Sequence, residues 1–231
     1  DHLPALLGAD DDPAAFVPHH RLVAEAHRRH LGLRLVRTGL VLESLIPSIL
    51  EQKVTTQEAH RAWRRLLRRF GEPAPGPVGG LPEGMAVMPE PRTWALIPSW
   101  EWHRAGVDHK RSSTVLRAVA RAGRLQEAAD MDLAAATARL TAIPGIGPWT
   151  AAETLQRTNG AADAVTVGDL HLPGTVVYAL TGARDGDDER MLELLAPYAG
   201  QRHRATRLIL ATGRTPPRRA PRFPRTDIAR L

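Results

Sequence analysis

Asp169 is the residue of this chain whose setting best suits chemistry. It lies in the segment AVTVGDLHLPG, residues 164–174, twenty residues after Trp149. An aspartate in such a place is often the N-cap of the helix that follows. Pro173 argues otherwise, because proline prefers the first helical position. That would put the cap near Leu172 and leave Asp169 in the preceding loop. A carboxylate held in a loop can stabilise a developing positive charge, and it can orient or deprotonate an attacking water.

The element upstream of Trp149 reads as a hairpin. Leu133 to Leu140 has the composition of a short apolar helix, and Ile143-Pro144-Gly145-Ile146-Gly147 reads as a turn too tight for anything but glycine at two places. Pro148 stands where a helix begins, since its missing N–H would have no partner there. A second helix follows, from about Trp149 to Arg157. Two helices joined this way present free backbone N–H groups at the second N-terminus, which suits a phosphate. That favours a nucleic-acid backbone and says nothing of its sequence.

The run LTAIPGIGPWTA, residues 140–151, with Val167-Gly168-Asp169 downstream, resembles the hairpin and catalytic aspartate of the HhH-GPD superfamily of DNA glycosylases. The group it is most similar to is the 3-methyladenine DNA glycosylase II group of alkylation-repair enzymes, over about residues 40 to 212. The resemblance implies catalysis by Asp169 and a base pocket with Trp149, Glu153 and His171. It implies DNA contacts through Gln52, Lys53, Gly145, Ile146, Gly147, Pro148 and Thr150. It implies no cofactor for the chemistry, but a structural K+ or Na+ on the backbone carbonyls of Thr141, Ile143 and Ile146. Bifunctional members carry a lysine at the position of Trp149, which forms a Schiff base and then nicks the strand. Tryptophan cannot be that nucleophile, so the implied enzyme is monofunctional and leaves an abasic site. The implied substrate is double-stranded DNA carrying an alkylated purine of the 3-methyladenine or 7-methylguanine type. The implied setting is base excision repair by a monomer at the bacterial nucleoid, in the cytoplasm.

Two departures from the pattern stand out. Glu153 occupies a place where the family often has an aromatic residue, which makes the pocket less aromatic or more negative. Leu50-Glu51-Gln52-Lys53 matches the loop that wedges into DNA; Lys53 is a poor apolar wedge, which leaves Gln52 to fill the gap. His171 either faces the cleft or is an ordinary polar residue at a helix start. Two other readings stay open: a catalytically silent helix-hairpin-helix DNA-binding protein, or a glycosylase for deaminated or oxidised bases. Related alkylation-repair enzymes carry a small β-rich domain before this point, so the sequence is expected to be a fragment.

The whole chain bounds these readings. At 231 residues it can bury one or two cores. A net charge of +6 and a pI near 10.8 suit a polyanionic partner. All but Lys53 and Lys110 of the 31 basic residues are arginine, which suits bidentate phosphate contact. The absence of cysteine excludes disulfides, thiolate zinc sites and iron–sulfur clusters. No apolar run approaches the roughly 20 residues of a membrane span.

Helical periodicity dominates the rest. An Asp/Pro-broken opening segment precedes an amphipathic helix over His19 to His30, whose His20, His27 and His30 fall near one face. No carboxylate or cysteine completes a zinc set there, which favours solvent-facing histidines. Leu45, Ile46, Ile49, Leu50 and Val54 form an apolar stripe. A second helix carries Ala59, Ala62, Trp63, Leu66 and Phe70 inward, with Arg61, Arg64, Arg65, Arg68 and Arg69 on its other face. A Pro/Gly loop over 71–84 ends the pair. Further helices are expected from about Arg92, over Ser112 to Gly123, Pro173 to Leu180, Glu189 to Leu195, and Arg202 to Ala211. The expected fold is all-α, two helical lobes with a cleft between them. Residues 1–43 pack with the C-terminal lobe, 44–160 form the lobe ending in the hairpin, 161–212 carry the aspartate, and 213–231 are a basic Pro/Arg tail.

Overall fold

Helices carry the chain. A computed structural model describes residues 2–77 and 80–217. In chain order the helices are α1 (Leu3–Leu6), α2 (Arg21–Arg29), α3 (Val41–Leu50), α4 (Thr56–Phe70), α5 (Pro91–Ala95), α6 (Ser99–Ala105) and α7 (His109–Val119). They continue as α8 (Ala122–Gln126), α9 (Leu133–Thr141), α10 (Pro148–Thr158), α11 (Leu172–Thr181), α12 (Asp188–Leu195) and α13 (Arg202–Ala211). The Pro/Gly loop after α4 is closed by a two-residue antiparallel ribbon, β1 (Glu72–Pro73) on β2 (Ala86–Val87). Of the expected basic tail, 218–231 lies outside the described residues.

The apolar core falls into two clusters. The first is built round α3, whose Leu45, Ile46, Ile49 and Leu50 are fully buried, with Leu66, Val115, Leu140, Ala151 and Leu155 packed about them. Pro47 sits inside α3, where it removes one N–H from the ladder and leaves the carbonyl of Glu43 without its i+4 partner. Trp63 stacks on Trp94 at 6.1 Å and Trp94 on Trp102 at 5.7 Å. Trp63 and Phe70 are partly buried core residues, as their spacing indicates. A capping box, Thr55 with Glu58, starts α4.

The single helix expected over Ser112 to Gly123 is two. Asp108 caps α7 three residues earlier than expected, accepting from Arg111 N at 2.9 Å, and the chain turns at Ala120-Arg121 before α8. The turn brings Leu125 and Ala128 onto the same core.

The second cluster joins Phe16, Val23 and Ala26 to Val176, Val177, Met191, Leu195, Tyr198, Leu208 and Ile209. Tyr198 stacks on Phe16 at 5.7 Å, and its hydroxyl accepts from His20 N at 2.9 Å and lies 2.8 Å from His20 Nδ1. His20 and His27 are therefore half-buried packing residues rather than solvent-facing ones; His30 is exposed. Arg204, 1% exposed, pairs with Asp11, whose other oxygen accepts from Leu35 N at 3.0 Å. These contacts hold the N-terminal segment against α13.

That ion pair yields a stability prediction. Arg204→Met leaves Asp11 buried without its partner, a change that typically costs about 3–5 kcal/mol. Urea unfolding at neutral pH reads it; a loss below about 1 kcal/mol would show that the N-terminal segment is not tied down here.

Candidate active site and hairpin

The hairpin is fixed by one glycine inside the chain. Gly145 has φ +100°, and a Cβ there would lie 2.2 Å from Thr114 Oγ1 on α7. The expectation of two glycine-only places is corrected at Gly147. Its backbone is extended, at φ −100° and ψ −177°, and a Cβ would meet nothing within 4 Å. What Gly147 leaves is open space at the start of α10, which begins with Pro148 in its first turn and no side-chain cap. That end of the helix is the anion-favouring one.

Trp149 and Asp169 meet. Trp149 Nε1 donates to Asp169 Oδ2 at 3.0 Å. Asp169 Oδ1 accepts from His171 N and Leu172 N, each at 2.8 Å. Asp169 thus lies in the loop before α11, as Pro173 implies: the residue at the helix start is His171, which makes no side-chain cap, and the Asp169 carboxylate takes the N–H groups of His171 and Leu172 at the helix entry. Oδ1 takes two backbone N–H groups and Oδ2 takes the indole, so both oxygens are held. A carboxylate has about four lone-pair sites; three are engaged, and one on Oδ2 remains. Burial alone would raise the Asp169 carboxyl, but the donors Trp149, His171 N and Leu172 N outweigh it and hold it below its ordinary value. The group is ionised at neutral pH.

The loop carrying Asp169 is held from behind. Gly168, at φ +84°, donates its N–H to Asp188 Oδ2 at 2.9 Å, while Asp187 caps α12. Gln156 Nε2 bonds Ala164 O and Thr166 Oγ1, both at 2.9 Å. Sequence spacing marks none of Asp188, Gln156 and Thr166: the first two lie far along the chain from Asp169, and Thr166, in the same segment, acts through Gln156 on the neighbouring helix.

The loop after α3 is anchored on both sides. Arg111, 3% exposed, donates to Leu50 O at 2.9 Å and to Gly106 O at 3.1 Å, and pairs with Asp108 at 2.7 Å. Gln52 Nε2 donates to Gly145 O at 3.0 Å and to Thr150 Oγ1 at 2.8 Å. Gln52 is therefore tied to the hairpin, and the exposed residue of the loop is Lys53, at φ +56° in the left-handed region. Lys53, a poor apolar wedge, leaves Gln52 as the gap-filler; in this structure the hairpin carbonyl of Gly145 takes the Gln52 amide.

Glu153 does not present a free charge. Its Oε2 lies 2.8 Å from Arg157 Nη1, and its Oε1 accepts from Thr166 Oγ1 at 2.9 Å. His171 is exposed, with its backbone N–H on Asp169. The carbonyls of Thr141, Ile143 and Ile146 are neutral hard oxygens, a donor set suited to a monovalent cation rather than a transition metal. Ile143 O accepts the turn bond from Ile146 N at 3.0 Å and keeps a lone pair, and Thr141 ends α9, where carbonyls lack intrahelical partners. These residues fit such an ion. Among the described residues no group of three or more His, Asp or Glu could hold a metal, and no helix is long and apolar enough to cross a membrane.

No protein-family model matches the chain. It is 32% identical over 174 residues, 72% of its length, to a probable bifunctional transcriptional activator/DNA repair enzyme AlkA of Mycobacterium tuberculosis. The chain spans about a third, 34%, of that relative's length. Among solved structures it is similar to the 3-methyladenine DNA-glycosylase from Archaeoglobus fulgidus, with TM-score 0.66, 18% identity, and coverage of 83% of this chain and 67% of that one. It is also similar to the Clostridium acetobutylicum 8-oxoguanine glycosylase/lyase in complex with double-stranded DNA, with TM-score 0.67, 14% identity, and coverage of 93% and 70%.

The indole donor gives a direct test of the geometry. Trp149→Phe keeps the ring and removes one hydrogen bond to the carboxylate, so the Asp169 carboxyl should titrate at higher pH than in the wild type. Carboxyl-carbon NMR measures it; an unchanged or lower titration point would contradict the bond.

Proposed function

We propose that the chain is a DNA glycosylase of the HhH-GPD superfamily, monofunctional and excising alkylated purines from double-stranded DNA. The observation that carries this reading is the bond between Trp149 Nε1 and Asp169 Oδ2, which sets an ionised carboxylate beside an aromatic ring at the end of the hairpin. The extruded nucleotide leaves the base stack at a cost of a few kcal/mol. As the C1′–N bond breaks, its electron pair leaves with the base and positive charge gathers on the deoxyribose. Asp169 stabilises that charge. Its low pKa makes it a weak base, so electrostatic stabilisation is its larger task. The remaining lone pair on Oδ2 orients the water that bonds to C1′. Trp149 supplies no amine, so no Schiff base forms and the strand stays intact.

Gly147 and the start of α10 accommodate a DNA phosphate, and the carbonyls of Thr141, Ile143 and Ile146 would hold a K+ or Na+ whose charge would offset that of the phosphate. An alkylated purine is cationic, so its glycosidic bond is already labile and the Trp149 ring attracts it. The relative from M. tuberculosis and the neighbour from A. fulgidus support the alkylation reading. The Clostridium neighbour favours a second reading, a glycosylase for an oxidised base. Glu153 no longer argues between them, because Arg157 neutralises it. The arrangement suits a monomer acting on DNA at the nucleoid.

Asp169→Asn should lower base release on the order of 100-fold or more while DNA affinity stays close to that of the wild type. Single-turnover release from methylated duplex DNA, with binding followed by fluorescence anisotropy, checks both. Near-normal turnover by the variant would remove Asp169 from the catalytic role.

A further inference from the structure

A cavity of about 220 Å³ lies beside α10, lined by Pro47, Ser48, Glu51, His60, Trp63 and Arg157 among others. It holds none of the residues that the hairpin pattern identifies. Trp149, Glu153 and Arg157 recur every four residues and so share one face of α10. Trp149 touches Asp169 at one end of this stripe and Arg157 lines the cavity at the other, about 12 Å further along the helix.

The unusual group in the cavity is Glu51. Its side chain is 24% exposed, and its closest ionisable partner is His60 Nε2 at 3.9 Å, beyond hydrogen-bond length. Its carboxylate accepts no hydrogen bond from the described residues, unlike Glu153 and Asp169 nearby. Burial pushes the Glu51 carboxyl up, against the opposing charge of Arg157, which marks a group whose charged form lacks donors. Glu51 is nonetheless well positioned. Arg111 holds Leu50 O on one side of it and the hairpin holds Gln52 on the other. A half-buried carboxylate with unused acceptor sites, fixed between two anchored residues and facing a cavity walled by an indole, is a receptor for a flat group bearing paired donors.

Building on the glycosylase reading, we propose that Glu51 reads the edge of the extruded base and favours damaged guanines. The N1–H and 2-amino group of a guanine offer a carboxylate two parallel donors. An adenine derivative offers its 6-amino group beside a ring nitrogen whose lone pair meets the carboxylate unfavourably. Alkylation at N7 leaves the guanine donor pair in place and adds positive charge, which strengthens the match. The same edge survives in 8-oxoguanine, so Glu51 separates guanine lesions from adenine lesions rather than alkylated from oxidised ones.

The test uses duplex DNA treated with a methylating agent, which carries 7-methylguanine and 3-methyladenine together. Chromatography of the released bases gives the rate for each in one reaction. The wild type should release 7-methylguanine readily. In Glu51→Gln, which keeps the side chain's size, the ratio of 7-methylguanine to 3-methyladenine release should fall about ten-fold or more. Glu51→Leu should lower the ratio at least as far, and urea unfolding of both variants separates this from a loss of fold. An unchanged ratio, or a wild type that releases 3-methyladenine alone, would overturn the role of Glu51 and leave the glycosylase reading standing. A wild type that releases no damaged base, from this DNA or from an 8-oxoguanine duplex, would overturn both.

Discussion

The hydrogen bond from Trp149 Nε1 to Asp169 Oδ2 joins the hairpin to the loop before α11, and with it the two core clusters. Trp149 belongs to the helix that packs on the buried α3, whereas Asp169 leads into α11 of the second cluster. The 3.0 Å bond leaves one acceptor site on Oδ2, helps keep the group ionised, and sets an aromatic ring next to it. The surrounding contacts keep these partners in register. Thr114 leaves room only for glycine at position 145, Gln52 bonds the hairpin carbonyl, and Asp188 holds the N–H of Gly168.

Charge in this chain does several jobs at once. The arginine excess suggests phosphates, yet Arg111 and Arg204 are buried and hold backbone carbonyls and aspartates in place. Arg157 and Arg202 are committed to Glu153 and Asp163, and Arg117 donates to Pro144 O on the hairpin at 3.1 Å. The total of 31 basic residues therefore overstates the number of cations free to meet a polyanion. The guanidinium fork explains the choice of residue, since each buried arginine satisfies two or three acceptors that a lysine would leave unmet.

Much of the fold is legible in the sequence because it rests on periodicity. The apolar spacing of α3, α4, α9, α10 and α13, and Pro148 at a helix start, carry their own signals. The twenty-residue interval between Trp149 and Asp169 is legible only through the resemblance to the glycosylase superfamily. What the sequence hides depends on long-range partners. Pro47 lies within a helix because tertiary burial overrides its local penalty. Asp169 accepts two backbone N–H groups and the Trp149 indole at once, partners that no single spacing shows. Gln52 is drawn onto Gly145 O, and Glu153 onto Arg157 and Thr166. Glu51 stands out only when the cavity beside it is visible, since no spacing rule marks a lone glutamate at a helix end.

Hydrolysis at an Asp169–Trp149 site, without a covalent intermediate, is tested most directly by following the strand itself. A labelled duplex carrying one 7-methylguanine, incubated with the protein, should yield a full-length strand that breaks only on alkali treatment. Borohydride is added only to a parallel reaction, because it reduces the abasic aldehyde and blocks alkaline cleavage. No protein should be cross-linked to the strand there. Spontaneous strand cleavage, or a protein–DNA adduct trapped by borohydride, would contradict hydrolysis by water and require an amine nucleophile where Trp149 supplies none.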